Sequence, residues 1–175
     1  MILTALLAIS LQLLQPTQSP ITAVPDFSGT WKIDKSQTTW EHLRDLDDLT
    51  FEISQDQSAV IVKRIITEKK HKPRVSELTY YPDGRGEKVS RLLSNLRFKS
   101  KTIWVDQTMV TKFTVSEYES TSRDFYYFDF QETWSLSNDK KVLTISTEVA
   151  ARNVPHFLRN TITSNSYRKV FRLVS

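Results

Sequence analysis

Two charged residues sit in apolar rows where an ion is out of place. Glu132 falls within the series Tyr126, Phe128, Phe130, Trp134 and Leu136, and Arg64 falls between Val62 and Ile66. Side chains two apart on a strand share a face, so rows that point inward would carry both charges inside. A carboxylate so placed must find a cation or titrate upward. Two kinds of chemistry are then open: an internal ion pair that orients the polar group of a ligand, or a lone acid that moves a proton. A rim salt bridge, or a bulge that turns one of the two residues to solvent, is the alternative without function.

The rest of the reactive inventory excludes more than it offers. The chain has no cysteine, so disulfides, thiolate metal sites, a thiol nucleophile and a lipid anchor on an N-terminal Cys are all excluded. His42, His71 and His156 stand far apart, without the close spacing of a metal motif. No serine lies in G-x-S-x-G, and Gly29, Gly84 and Gly86 build no phosphate loop. No catalytic residue, metal or cofactor is therefore assigned. The run Lys69-Lys70-His71-Lys72-Pro73-Arg74 and the series Arg97, Lys99, Lys101 are the basic features. They suit weak contact with an anionic envelope surface, or simply a solvated hairpin end and an outward strand face. A net charge of +4 and a pI near 9.3 are too modest to argue for a nucleic-acid partner.

The elements that must position these residues read as strands. At 175 residues the chain fits one domain, and 9 Phe, 6 Tyr and 4 Trp beside many Val, Ile and Thr argue against disorder. Apolar residues recur at every second position: Phe27, Gly29, Trp31, Ile33; Leu49, Phe51, Ile53; Leu78, Tyr80; Leu96, Phe98, Thr102, Trp104; Phe113, Val115; Leu143, Ile145, Val149; Tyr167, Phe171, Leu173. Turn signals separate them at Asp56-Gln57-Ser58, Pro82-Asp83-Gly84, Ser94-Asn95, Asp106-Gln107 and Asn138-Asp139. Consecutive hairpins of about eight to ten strands predict an all-β, antiparallel up-and-down barrel, with a two-sheet sandwich as the alternative. Thr38 to Leu46 predicts a short capped helix or lid after the first strand, and Ala150 to Asn165 a longer connection before the last.

Residues 2–14 are an apolar run broken only by Thr4, Ser10 and Gln12, with a polar exit at Gln15 to Ser19. This fits the core of a signal peptide and is short for a membrane span. The expected division is a signal peptide over 1–23 and a β-barrel domain over 24–175, placing the mature protein in a periplasm or outside the cell without a transmembrane segment.

Asp26-Phe27-Ser28-Gly29-Thr30-Trp31-Lys32, close behind such a leader, resembles the first-strand G-x-W signature of the calycin superfamily, which includes the lipocalins. The wider pattern, through Tyr80 to Gly84 and Glu132 to Ser137 to Tyr167-Arg168-Lys169, is similar to small exported lipocalin-like proteins of bacteria. The resemblance implies an eight-stranded barrel or a relative, with Gly29 and Trp31 at its closed end. It also implies a basic residue of the last strand across the Trp31 ring, Arg168 first with Lys169 and Arg172 as rivals. The function implied is binding of a small, largely apolar ligand within the barrel. Trp40 would cover the mouth, Trp104, Tyr126, Phe128 and Phe130 would contact the ligand, and Arg64 and Glu132 would orient it. Two other functions use the same residues: an envelope interaction module with a filled core, and an isomerase or cyclase using Glu132.

Overall fold

The computed structural model describes residues 24–69, 71–93, 96–120, 123–154 and 166–174. The expected signal peptide, His156 and the turn at Ser94-Asn95 lie outside the described residues. Ten strands follow one another: β1 Gly29–Ile33, β2 Leu46–Gln55, β3 Val60–Glu68, β4 Arg74–Tyr80, β5 Glu87–Val89, β6 Phe98–Val105, β7 Thr108–Glu119, β8 Asp124–Leu136, β9 Val142–Arg152 and β10 Ser166–Leu173. They form a single sheet in the order β4-β3-β2-β1-β10-β9-β8-β7-β6-β5, with antiparallel pairing throughout. One continuous sheet rules out the sandwich. β1 joins β10, and the edge strands β4 and β5 come side by side without a hydrogen-bonded ladder, so the barrel is nearly closed. The segment expected as a helix or lid holds one 3-10 turn, Glu41–Asp45.

The turns form where the sequence places short polar side chains. Asp56 Oδ1 accepts hydrogen bonds from Ser58 N at 2.7 Å, Ser58 Oγ at 2.8 Å and Ala59 N at 2.9 Å, closing the β2–β3 hairpin. Asp106 adopts a φ of 52° between β6 and β7, a left-handed backbone that Asp tolerates better than bulkier residues.

The glycine of the G-x-W triplet has a steric reason. Gly29 has a φ of 137°, and a Cβ there would lie 2.8 Å from Leu173 Cδ1 on the neighbouring strand β10. β1 and β10 are joined by an antiparallel ladder at Trp31↔Leu173, Lys32↔Arg172 and Ile33↔Phe171. Trp31 then points inward, 1% exposed, and its indole N–H donates to the Phe27 carbonyl at 2.8 Å. That bond folds the lead-in to β1 beneath the barrel, where Phe27 stacks on Trp104 at 5.6 Å and meets Trp134 edge-on at 6.2 Å. Phe51 stacks between Phe171 at 4.5 Å and Trp134 at 6.1 Å, and Tyr80 packs on Trp134 at 5.4 Å. This end of the barrel is a filled aromatic plug.

Removing the fully buried Trp31 ring leaves a cavity in the core. Trp31→Ala should cost about 3–5 kcal/mol, against under about 0.5 kcal/mol for the exposed Ser146→Ala on β9. Urea denaturation midpoints compare the two directly, and equal shifts would contradict the position of Trp31 in the core.

Candidate functional site

Above the plug the interior turns polar. Across β7, β8 and β9 the register aligns Thr111, Glu132 and Thr147, and Thr102 of β6 faces Thr111. All four side chains point inward, because they alternate with outward neighbours on strands of the same sheet. Lys169 of β10 reaches this level and donates to Glu132 Oε1 at 3.0 Å, with the lysine side chain 6% exposed and the glutamate 15%. The Lys169 ammonium also lies 5.9 Å from the Trp40 ring centroid and 5.5 Å from that of Tyr167, so two aromatic faces help to replace its water.

A second cation enters from β3. Arg64 is 5% exposed, and its hydrogen bonds among the described residues go to neutral acceptors: Ser90 O at 2.9 Å, Ser90 Oγ at 2.8 Å and Ser76 Oγ at 3.1 Å. Burial pulls its pKa down, the negative charge of Glu132 works the other way, and a guanidinium stays protonated throughout. Burial likewise pushes the Tyr80 hydroxyl upward, and the negative charge of Glu132 adds to the effect. Opposite them, Glu87 Oε1 accepts from Ser100 Oγ at 2.9 Å and, by a short contact, from Thr102 Oγ1, which also bonds Thr111 Oγ1 at 2.9 Å. The result is a polar girdle holding two cations, Arg64 and Lys169, and two carboxylates, Glu87 and Glu132. Among the described residues Glu87 Oε2, Thr147 Oγ1 and Trp134 Nε1, together with Arg74 Nε on β4, are buried without a hydrogen bond. Each keeps capacity for a polar atom, since an unsatisfied buried group costs about 1–3 kcal/mol.

Beyond the girdle lies an aromatic mouth. Phe113 stacks on Phe130 at 4.9 Å and on Phe98 at 6.0 Å, and Phe128 tilts against Phe130 at 6.5 Å. A cavity of about 390 Å³ opens here, walled by Phe128, Phe130, Val149 and Tyr167, with Arg91 and Glu117 among its polar groups. Arg91 places its guanidinium 4.8 Å from the Phe130 ring centroid. A larger concavity of about 930 Å³ has a different character. Its lining takes three consecutive residues from each of β6, β7, β8 and β9, such as Lys99-Ser100-Lys101. It is thus a furrow on the outer face, not part of the interior.

The residues expected at the site are therefore divided. Phe128 and Phe130 line the mouth, and Glu132 and Arg64 lie one layer deeper in the girdle. Tyr126 stands near the rim, where its hydroxyl donates to Glu117 Oε2 at 2.7 Å. Trp40 is buried at 5% exposure because residues 38–40 run on beside β10 past the end of β1, anchored by Thr39 N donating to Arg168 O at 3.0 Å. Trp104 belongs to the plug with Phe27, away from the mouth. The cation expected across the Trp31 ring is displaced: Arg168 faces outward and donates to Gln37 O at 3.2 Å, whereas Lys169 turns inward and meets Trp40 and Tyr167 instead of Trp31. Strand alternation decides this, because neighbours on one strand cannot share a face. Tyr167 and Val149 were visible only as ordinary apolar positions, and Glu87, on a three-residue strand, had no alternating pattern to mark it. No protein-family model matches the chain, and no curated protein matches it in sequence.

The Glu132–Lys169 pair makes a demand that a solvent-facing pair does not. Glu132→Gln and Lys169→Met should each destabilise the protein by about 3 kcal/mol, because each leaves the other charge buried. The double variant should cost at least about 1 kcal/mol less than the two losses summed. Chemical denaturation of the four proteins measures the coupling, and strict additivity would show that the pair carries no mutual energy.

Proposed function

We propose that this chain is an exported, lipocalin-like carrier that holds a small, largely apolar molecule at the open end of its barrel. The cavity of about 390 Å³ at the aromatic mouth carries the reading. Its volume falls in the range of about 300–1,000 Å³ that small-molecule sites occupy, and it combines an apolar wall with a few polar groups. Phe128, Phe130 and Val149 suit a flat or branched hydrocarbon body. Tyr167, Arg91 and Glu117 give a polar end of the ligand something to bond. The steric role of Gly29, the burial of Trp31 and the up-and-down meander support the lipocalin-like part of the proposal, and the apolar run at residues 2–14 supports export to a periplasm or the outside.

A structural or interaction module of the envelope is the second reading, and the filled aromatic plug favours it. Such a module has no use for a cavity walled by three aromatic rings. An isomerase or cyclase would need open volume against Glu132, whereas that carboxylate is occupied by Lys169.

Protein purified gently from its own host tests the proposal. Native mass spectrometry should show a bound small molecule that denaturation releases, and the chain should begin near Val24. Val149→Trp, which fills the mouth, should abolish the adduct and reduce binding of a fluorescent apolar probe at least tenfold. A ligand-free protein whose probe binding is indifferent to Val149→Trp would overturn the carrier reading, and a mature chain beginning at Met1 would overturn export.

A further inference from the structure

The outer face of β5, β6 and β7 carries a lysine array that neither the barrel interior nor the fold requires. Lys88 pairs directly with Lys99, and Lys101 pairs directly with Lys112. Like charges opposite one another destabilise a sheet, and here two such rungs lie side by side. Adjacent strands are about 5 Å apart and alternate residues about 7 Å apart, so the four ammonium groups descend the sheet as a diagonal staircase. Among the described residues none of the four joins an ion pair; the lysines that do are Lys32, Lys63 and Lys169. Protection of a sheet edge against aggregation accounts for Lys88, on the edge strand β5. It does not account for Lys99, Lys101 or Lys112, whose strands are paired on both sides.

The array opens into the outer furrow of about 930 Å³, which crosses four strands. Its floor is the outward backbone of Ser100, Phe113, Phe130 and Val149, whose side chains turn inward. Along one wall the register runs Lys101, Lys112, Gln131, Glu148. Positive charge is thus concentrated at one end, while an amide and a carboxylate wait at the other. Asp129, also on the furrow, is held by Arg152 and Thr114 and offers little free negative charge.

We infer that this furrow binds a linear acidic polysaccharide. Its carboxylate or sulfate groups would lie along the lysine staircase, and hydroxyls of the same chain would hydrogen-bond Gln131 and Glu148. The concave, elongated shape fits a chain better than a flat bilayer surface. A single-stranded nucleic acid would need stacking platforms, and the phenylalanines of these strands, Phe113 and Phe130, face the other way. Lysine, a mobile point charge, suits dispersed single anions rather than a fixed bidentate group. The inference is independent of the carrier reading, since the mouth and the furrow lie on opposite faces of the same strands.

The test uses the mature chain and two probes, a heparin-derived octasaccharide and an octamer of galacturonate. At least one should bind saturably, with log affinity falling linearly as log salt rises, as counterion release requires. Lys99→Gln/Lys101→Gln/Lys112→Gln should weaken that binding at least tenfold. Lys69→Gln/Lys72→Gln, in the other basic run, should leave it within twofold. In the unsubstituted protein, amide shifts on adding the octasaccharide should centre on residues 99–101, 112–114 and 129–131, a readout that does not depend on any variant folding. Absence of binding to both octasaccharides overturns the inference. So does an equal loss in the two sets of variants, shift changes centred elsewhere, or tighter binding of phosphatidylglycerol vesicles or an oligothymidylate than of either octasaccharide.

Discussion

The hydrogen-bonded ion pair of Lys169 and Glu132 lies where the barrel changes from filled to open. Below it, rings from six strands and from the lead-in to β1 exclude water. Above it lies a mouth walled by Phe128, Phe130, Val149 and Tyr167. A charge pair at this level needs strong compensation, since each ion gives up most of its hydration. Compensation comes from the short contact itself, from the faces of Trp40 and Tyr167, and from a girdle whose two cations and two carboxylates balance. The pair also ties β8 to β10 across the barrel interior, skipping β9, and so fixes the relative position of strands that share no ladder. Trp40 owes its buried position to the same arrangement, because the segment that carries it runs along β10 to reach the lysine.

Closure on the other side of the barrel uses a different device. β4 and β5 make no ladder, so the seam between them is held by side chains. Arg64 reaches from β3 past Ser76 of β4 to the carbonyl and hydroxyl of Ser90, just beyond β5, and Arg97 donates to Glu77 O of β4 at 3.2 Å. A guanidinium with several donors in one plane can replace part of a missing backbone ladder, which a lysine could not do as well. The charge that looked anomalous in an apolar row is thus one of the groups that hold the barrel shut. Its electrostatic link to Glu132 joins the seam to the girdle.

Strand alternation lets the long strands serve two surfaces at once. On β7 and β8, Phe113 and Phe130 build the mouth, while Lys112 and Gln131, one residue away, line the outer furrow. Neither surface constrains the residue types of the other, so an apolar container and a cationic exterior coexist on one sheet.

The all-β architecture, the meander and the turns at 56–58, 82–84, 106–107 and 138–139 were legible in the residues, because period-two alternation and Asp- or Asn-centred turns are local properties of the chain. Glu132 and Arg64 stood out for the same reason: a charge in an apolar row is a local contradiction. That Glu132 would need a cation followed from electrostatics, but which cation meets it depended on register. β10 presents Lys169 inward and Arg168 outward, and a slip of one residue would have reversed them. Arg64 was equally visible as an inward charge, but its partners, Ser76 and Ser90, depend on the bare seam between β4 and β5. Trp104 and Phe130 looked alike as inward aromatics, yet one fills the plug and the other lines the mouth. Their depth along the barrel is set by how the sheet tilts and closes, a long-range property that no stretch of local sequence encodes.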